Sequence, residues 1–509
     1  MSLAYFESSE AGLLQSTMVL PMILTALVLL VGAFWFAQEK PLKGLPILDF
    51  EDCNFHRAQL RFIANGRDLL WRGLKQSQFS GPFQVITPVG AKVMLPGRFA
   101  SEIKNDSRLS FGEWLAREFD SHLSGFEGFR RVHADGVFVE VVRGKLTQAL
   151  GSITDIVCDE SRSCLHNGLG ESKEWTEITL KPFITYTLAR LSTRVFLGPE
   201  LCRNDEWLDV FINFVTYAFS AMQRLRTWHP WFRPIANVFL PESRKLRQEI
   251  AHARRLIEPL IDQRRRENSN DSGKARGTID WMDQVAKGRS YDPVMTQLFF
   301  SLFAVHTTTE LVTNVMYDIC AHPEYIEPLR DEIEGVLRAE GWKKTSLFNM
   351  KFLDSFLNEV QRLSPGGSVA MNRVAFEEIQ LSDGSVIPKG ATLSCTFDEL
   401  MNPAIYPEPE KFDPYRFLKK RQQPGQENSH QFVTTSQEHL AFGLGTHACP
   451  GRFFAANESK VLICHLLLMY DWKLADEAAG RPDHITSSEM MSANPFAKVM
   501  FKRREQSAL

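Results

Sequence analysis

Phe442-Gly443-Leu444-Gly445-Thr446-His447-Ala448-Cys449-Pro450-Gly451 is the stretch that decides how this 509-residue chain is read. It sets a cysteine among close glycines, two residues after a histidine and just ahead of an apolar run. Glycines let backbone approach a flat ligand in conformations closed to other residues. Backbone N–H groups of such a loop, and the start of the following helix, stabilise an anionic sulfur. Phe442 offers an aromatic face near that sulfur. A lone cysteine is most often a small buried hydrophobe. The ten-residue setting argues instead for a thiolate held against a large flat cofactor.

F-x-x-G-x-H-x-C-x-G resembles the haem-binding signature of the cytochrome P450 family, with Phe442, Gly445, His447, Cys449 and Gly451 at its fixed positions. The resemblance implies haem b with Cys449 as the proximal iron ligand. Phe442, Gly443 and Gly451 would shape the cofactor loop, and His447 would contact a propionate. In this family the sulfur pushes electron density towards O–O cleavage.

Three further stretches match in the right order. Leu353, Phe356, Leu357 and Val360 recur at helical spacing, so the segment from Lys351 to Leu363 reads as an amphipathic helix. Glu359 and Arg362 share one face of it. Alone, such a pair is common on surfaces and worth little. It resembles the family's E-x-x-R element, which implies a third partner at Arg416 in Phe412-Asp413-Pro414-Tyr415-Arg416-Phe417 and a structural role for the cluster. Next, Asp383-Gly384 between apolar runs signals a hairpin. By resemblance Arg373, shortly before it, pairs with a haem propionate, whereas its plain reading is an exposed strand arginine. Ser368 and Val369 would line the substrate pocket.

The last match carries the oxygen chemistry and departs from the pattern. Asp292-Pro293 opens a segment running to about Cys320 that is apolar all round, as a helix buried in a large domain would be. Within it lies Phe303-Ala304-Val305-His306-Thr307-Thr308-Thr309, and three β-branched residues in a row disfavour helix. The stretch resembles the family's A/G-G-x-D/E-T-T element, which kinks the central helix over the haem. That implies proton delivery by Thr307 with Thr308 beside it, and pocket positions at Phe303 and Ala304. His306 stands where the family has an acid. Its unperturbed pKa suits a relay near neutral pH; a core histidine bonded to a backbone carbonyl is the other reading. The A-x-H-T-T variant is similar to filamentous-fungal members.

Residues 18–37 carry no charge and match the ~20 residues needed to cross a bilayer. Glu7 and Glu10 precede the stretch, and Lys40 and Lys43 come after it. The positive-inside rule then leaves a short lumenal N-terminus at residues 1–17 and the bulk of the chain cytosolic. The basic n-region of a cleavable signal peptide is missing, so a signal anchor is expected. Residues 38–50 resemble the proline-containing hinge of microsomal members, and residues 51–509 form the catalytic domain. The expected location is the endoplasmic reticulum membrane, single-pass. Eight scattered cysteines without zinc-like spacing fit a reducing cytosolic setting. The sequons at Asn105, Asn270 and Asn457 should then stay unmodified.

With 58 basic and 61 acidic residues, global charge makes no case for nucleic-acid binding. Residues 207–232 are unusually aromatic (Trp207, Phe211, Phe214, Phe219, Trp228, Trp231, Phe232) and should be mostly core. In family members this region forms a lid that often dips into the membrane. Arg224, Arg226 and Arg233 then suggest lipid headgroup contacts. Lys419-Lys420-Arg421 and Arg130-Arg131 read as solvated faces or as docking points for an acidic reductase. Asn494, Pro495 and Phe496 match the place where the family returns a loop to the pocket.

The expected fold is mainly α, the cytochrome P450 fold with small β-sheets, preceded by one N-terminal transmembrane helix. The implied reaction is monooxygenation of a lipophilic small molecule. It would use O2 and electrons from NADPH through a cytochrome P450 reductase, with cytochrome b5 as a further candidate donor. His-Thr-Thr and residues 225–234 resemble fungal members that oxidise terpenoids, meroterpenoids or indole-diterpenes. Two rivals stand beside this: a P450-fold isomerase or dehydratase needing no external electrons, and a non-catalytic haem-binding membrane protein.

Overall fold

The computed structural model describes Thr25, residues 40–48, 50, 54–130, 136–270 and 277–505. Its contacts divide the chain into residues 1–43 and a single unit from Gly44 to Leu509. The larger unit is mainly helical, with 57% of the chain in helix, and its sheets are small.

The central helix begins where the sequence places it. Asp292 caps Pro293–Phe300, its side chain accepting from the N–H groups of Val294 and Met295 at 3.1 and 3.0 Å. Ser301–Val305 then forms a π-helical turn, and α-helix resumes over His306–Ala321. The three threonines therefore do not break the helix. The Thr307 hydroxyl donates to the Phe303 carbonyl at 2.9 Å, and the Thr308 hydroxyl to the Ala304 and Val305 carbonyls. A π-turn disturbs the i→i−4 ladder, and these hydroxyls satisfy carbonyls along it.

Around this axis pack Leu150–Leu169, Leu180–Phe196, Lys351–Leu363 and Arg452–Met469, whose apolar residues share one core with Leu298, Phe299 and Val315. Asp205–Arg226 and Pro241–Asn270 lie against each other on the same core.

The largest sheet has the order Phe83–Thr87, Gly90–Leu95, Thr392–Thr396, Val369–Ala375, Leu109–Ser110. A second sheet sets Lys498–Arg503 between Thr176–Thr179 and Tyr470–Leu474. The Asp383-Gly384 turn joins Ile379–Gln380 to Val386–Ile387, as its sequence implies. Leu45 and Leu48 in the expected hinge are buried. Residues 45–48 are held along the first strand, Gln84 N–H donating to the Pro46 carbonyl at 2.8 Å.

No helix among the described residues is long and apolar enough to cross a membrane. The span read over residues 18–37 lies, Thr25 apart, outside them. The seven described cysteines are free.

Several surface readings are corrected by partners distant in sequence. Arg226 pairs with Glu118 and buried Arg233 with Asp120, so neither is available to lipid headgroups; only Arg224 is exposed. Arg421 is buried against Asp354 at 3.0 Å and is no solvated face. Trp207, Phe211 and Phe214 are core, whereas Trp228, Trp231 and Phe232 are exposed on a short turn outside it.

Candidate functional site

The Cys449 loop is a tight backbone structure. Cys449 N–H donates to the Phe442 carbonyl at 2.8 Å, and Gly445–His447 forms one 3₁₀ turn between them. Gly443 and Gly445 both adopt left-handed φ, +66° and +74°. A Cβ on Gly445 would lie 2.4 Å from the Lys104 carbonyl oxygen, so only glycine fits there. Phe442 meets Phe432 edge-on with centroids 5.2 Å apart.

Burial pushes the Cys449 thiol pKa up, while the N–H groups of Gly451 and Arg452 and the Arg452 charge oppose that shift. Yet Cys449 keeps part of its surface accessible, unlike the six other described cysteines, which are buried. The residue is thus deep in the domain without being wholly covered by it.

Cations gather around the loop without acids. Arg373 is 3% exposed, and its pKa is held down to about 10 by burial. Its hydrogen bond goes to the Asn372 carbonyl at 2.7 Å, and its guanidinium stands 5.7 Å from the Phe111 ring. The strand shifts register between Ala370 and Arg373, and Arg373 then pairs with Leu393. His447 has its pKa lowered by burial and by the charges of Arg373 and Arg143. Arg143 donates to the Thr446 carbonyl, and Arg452 to the Val433 and Cys449 carbonyls. Among the described residues no carboxylate pairs with Arg373, Arg143 or Arg452. Of the three only Arg373 is buried, and a buried cation without counter-charge is costly; a ligand bearing carboxylates beside Cys449 would relieve that cost. Haem, with two propionates, fits this donor set.

Beneath the loop, Glu359 receives two guanidinium groups. Arg362 donates to its two oxygens at 2.9 and 2.8 Å, and Arg416 Nε reaches both at 3.2 Å. Glu359 and Arg362 are fully buried. The remaining N–H groups donate to the carbonyls of Leu400, Pro409, Pro407, Glu408 and Lys411. This ties the chain preceding the Cys449 loop to the helix Lys351–Leu363.

On the central helix, Thr307 is exposed although Val305, Thr308 and Thr309 are buried, so the helix opens onto free space at Thr307. Phe303 and Ala304 are half-buried one turn earlier, with Phe303 packed on Phe299 and Phe138. His306 turns to the helix Asp205–Arg226. Burial holds its pKa down to about 4, opposed by a hydrogen bond to the Ile212 backbone, and the charge of Lys181 lowers it further. Its Nε2 is buried without a partner among the described residues. At neutral pH His306 is an uncharged ring.

The structure also joins two expected pocket segments. Ser368 N–H donates to the Glu489 carbonyl at 2.9 Å, and Gly367 bridges Met490, which sets Ser368 and Val369 beside the strand leading to Asn494 and Pro495. Phe496 is 77% exposed.

Sequence reasoning missed Asn105 and Arg143, which hold the loop from elsewhere in the chain; nothing local marks them. Arg452, three residues after the cysteine, could have been found from its position.

The family model for cytochrome P450 matches residues 99–501. The chain is 42% identical over 460 residues to the cytochrome P450 monooxygenase hepE of Aspergillus oryzae, covering 88% of this chain and 83% of that one. It is 38% identical over 467 residues to the monooxygenase trt6 of Aspergillus terreus, covering 91% and 94%. Among solved structures, retinoic acid-bound cyanobacterial CYP120A1 superposes with a TM-score of 0.65 at 17% identity, over 92% of this chain and 100% of that one. That likeness speaks for the fold alone. The chain belongs to the cytochrome P450 family of oxygen-incorporating oxidoreductases, which implies haem with a cysteine thiolate ligand.

Proposed function

We propose that this chain is a membrane-associated haem-thiolate monooxygenase that inserts oxygen into a lipophilic small molecule of fungal secondary metabolism, a terpenoid, meroterpenoid or indole-diterpene. Its electrons come from NADPH through a reductase. The observation that carries the reading is Cys449, deep in the domain yet not wholly covered, with Arg452 beside it, Arg373 and Arg143 beside His447 of the same loop, and no carboxylate paired with these cations among the described residues. The chemistry the haem supplies when bound is the reductive activation of dioxygen.

The chain's own residues divide the remaining work. Cys449 ligates the iron, its sulfur stabilised by the N–H groups of Gly451 and Arg452. Arg373 and His447 hold the propionates, with Arg143 adding charge nearby. Thr307 faces the open space with its hydroxyl on the Phe303 carbonyl, so its Oγ1 is free to accept a hydrogen bond and pass a proton. Thr308 is buried and holds the helix at the π-turn. His306, neutral and turned to Ile212, supplies shape and leaves proton delivery to Thr307 and solvent. Phe303, Ala304 and Val369 form apolar walls that exclude water, and Ser368 adds one hydroxyl beside Val369.

Membrane association is supported by an exposed apolar patch, with Ile235, Val238 and Phe239 each more than half exposed beside Trp228, Trp231 and Phe232. Monomeric soluble proteins rarely expose such a contiguous face. The fungal relatives named above are cytochrome P450 monooxygenases, which supports the reaction class.

The test is the absorption difference between reduced protein with and without carbon monoxide, for wild type and Cys449→Ser. A strongly red-shifted Soret band that the substitution abolishes supports the reading. Folded, haem-loaded wild type without that band would end it. Turnover that persists without NADPH and reductase would favour the isomerase reading instead.

A further inference from the structure

Three residues from distant parts of the sequence meet at Ala493. Lys181 lies in the first turn of Leu180–Phe196, Glu310 in His306–Ala321, and Ala493 comes directly after the strand Met490–Ser492. Glu310 Oε2 accepts from the Ala493 N–H at 2.7 Å, and Lys181 Nζ donates to the Ala493 carbonyl at 3.1 Å. Lys181 and Glu310 also pair with each other, at 17% and 26% side-chain exposure. Both backbone groups of one loop residue are thus held by the two ends of one ion pair. Tyr317, further along the same helix, donates to the Asn494 carbonyl at 2.8 Å, and the Asn494 side chain accepts from Phe496 N–H at 3.0 Å.

Glu310 stands three residues after Thr307, so the two share a helix face. Thr307 is exposed, one turn before the carboxylate that holds the loop. A loop anchored by Glu310 is therefore fixed relative to Thr307 itself. An ion pair this sheltered is screened less than an exposed one, and truncating one partner leaves the other charge and a backbone group unsatisfied.

We propose that Lys181 and Glu310 are positioning residues that clamp Ala493 and so set the far wall of the substrate chamber at residues 494–496. This rests on the haem and substrate reading of the space beneath Thr307. Lys181 and Glu310 touch no reacting atom in this assignment. They decide how long a lipophilic molecule the chamber accepts, through the loop they hold. Asn494 and Pro495 are half-buried, and Phe496 stands at the exposed rim.

The experiment uses full-length holoenzyme and two azoles that bind haem iron: compact 4-phenylimidazole and elongated ketoconazole. Variants are Glu310→Ala, Glu310→Gln and Lys181→Arg. Gln keeps an acceptor for Ala493 N–H while removing the charge, which provides a milder variant if Ala fails to fold. Loss of the clamp is expected to weaken ketoconazole about tenfold while 4-phenylimidazole stays within about twofold. Lys181→Arg, retaining donor and charge, should behave as wild type. Hydrogen exchange of the amides at 493–497 should quicken in the Glu310 variants, while that of the central helix stays as in wild type. Faster exchange with both azoles unchanged would overturn the assignment, because the loop would be held without bounding the chamber. Equal weakening of both azoles would overturn it too, marking general damage. A wild type that gives no nitrogen-ligated spectrum with either azole would instead sink the haem reading beneath it.

Discussion

Asn105 Oδ1 accepts from both the backbone N–H and the hydroxyl of Thr446, at 2.9 and 3.0 Å. One amide oxygen thereby ties the cysteine loop to a turn 341 residues earlier. Removing it leaves the Thr446 hydroxyl to find water and its N–H with only the longer bond to the Lys104 carbonyl at 3.3 Å. Asn105→Ala should lower stability by about 1 kcal/mol, the ordinary net worth of such bonds, and speed haem loss to an acceptor apoprotein. Asn105→Asp, which keeps the acceptor, should lose far less. Stopped-flow haem transfer and thermal unfolding read both effects. Wild-type kinetics for the alanine variant would mean the bond is decorative.

Two glycines in the same loop should differ sharply on substitution. Gly443 and Gly445 share a left-handed backbone, which costs an L-residue roughly 1–2 kcal/mol. For Gly443 that is the main cost, since a new Cβ would meet nothing nearer than 3.7 Å. At Gly445 the Cβ would also strike the Lys104 carbonyl oxygen and the Asn105 and Lys104 side chains. Gly443→Ala should still incorporate haem at reduced stability; Gly445→Ala should fail to. Comparable haem content in the two purified variants would refute the steric argument.

Glu359 balances two buried guanidinium groups, and five backbone carbonyls take up their remaining N–H groups. Glu359→Ala would leave both cations without an anion. Breaking a buried ion pair from one side typically costs about 3–5 kcal/mol, so a loss of that size is expected in urea unfolding. Arg416→Ala should cost less, because Glu359 keeps both bonds to Arg362. An alanine at 359 that unfolds at the wild-type midpoint would show the cluster to be dispensable.

The sequence carried those parts of the site that lie close together along the chain. The cysteine loop is ten contiguous residues, and Glu359 and Arg362 are one helical turn apart. Trp207, Phe211 and Phe214 recur at helical spacing and are buried; Trp228, Trp231 and Phe232 flank Pro230, keep to no period, and are exposed. What escaped was tertiary. Arg226 and Arg233 looked free until the fold set Glu118 and Asp120 beside them. The threonine run looked like a helix breaker because propensity ignores the carbonyls that a π-turn frees. His306 kept two readings in the sequence, since nothing local reveals that its ring is buried against Ile212.

The helix after the cysteine carries a buried carboxyl with a testable pH signature. Glu458 is wholly buried; Ser192 donates to its Oε1 at 2.8 Å and its Oε2 has no partner among the described residues. Burial pushes its pKa from 4.5 up to about 8, opposed by the Ser192 bond. Below the unfolded value of 4.5 both states hold the proton, and the group has no effect on pH dependence. Between 4.5 and 8 the native state holds a proton that the unfolded chain has released. Stability therefore falls as pH rises through that window, at about 1.4 kcal/mol per pH unit, and the loss is complete above about pH 8. Glu458→Gln cannot titrate. Its stability relative to wild type should climb steadily from about pH 5 to 8 and then level off, whatever constant cost the substitution brings. The buried histidines His439 and His465, with pKa held down to about 4, contribute equally to both proteins and cancel in that difference. Urea unfolding of both holoproteins at half-unit steps measures it. A difference that stays flat across that range would mean Glu458 is already ionised at the acid end, and that water or a repacked neighbour reaches its second oxygen.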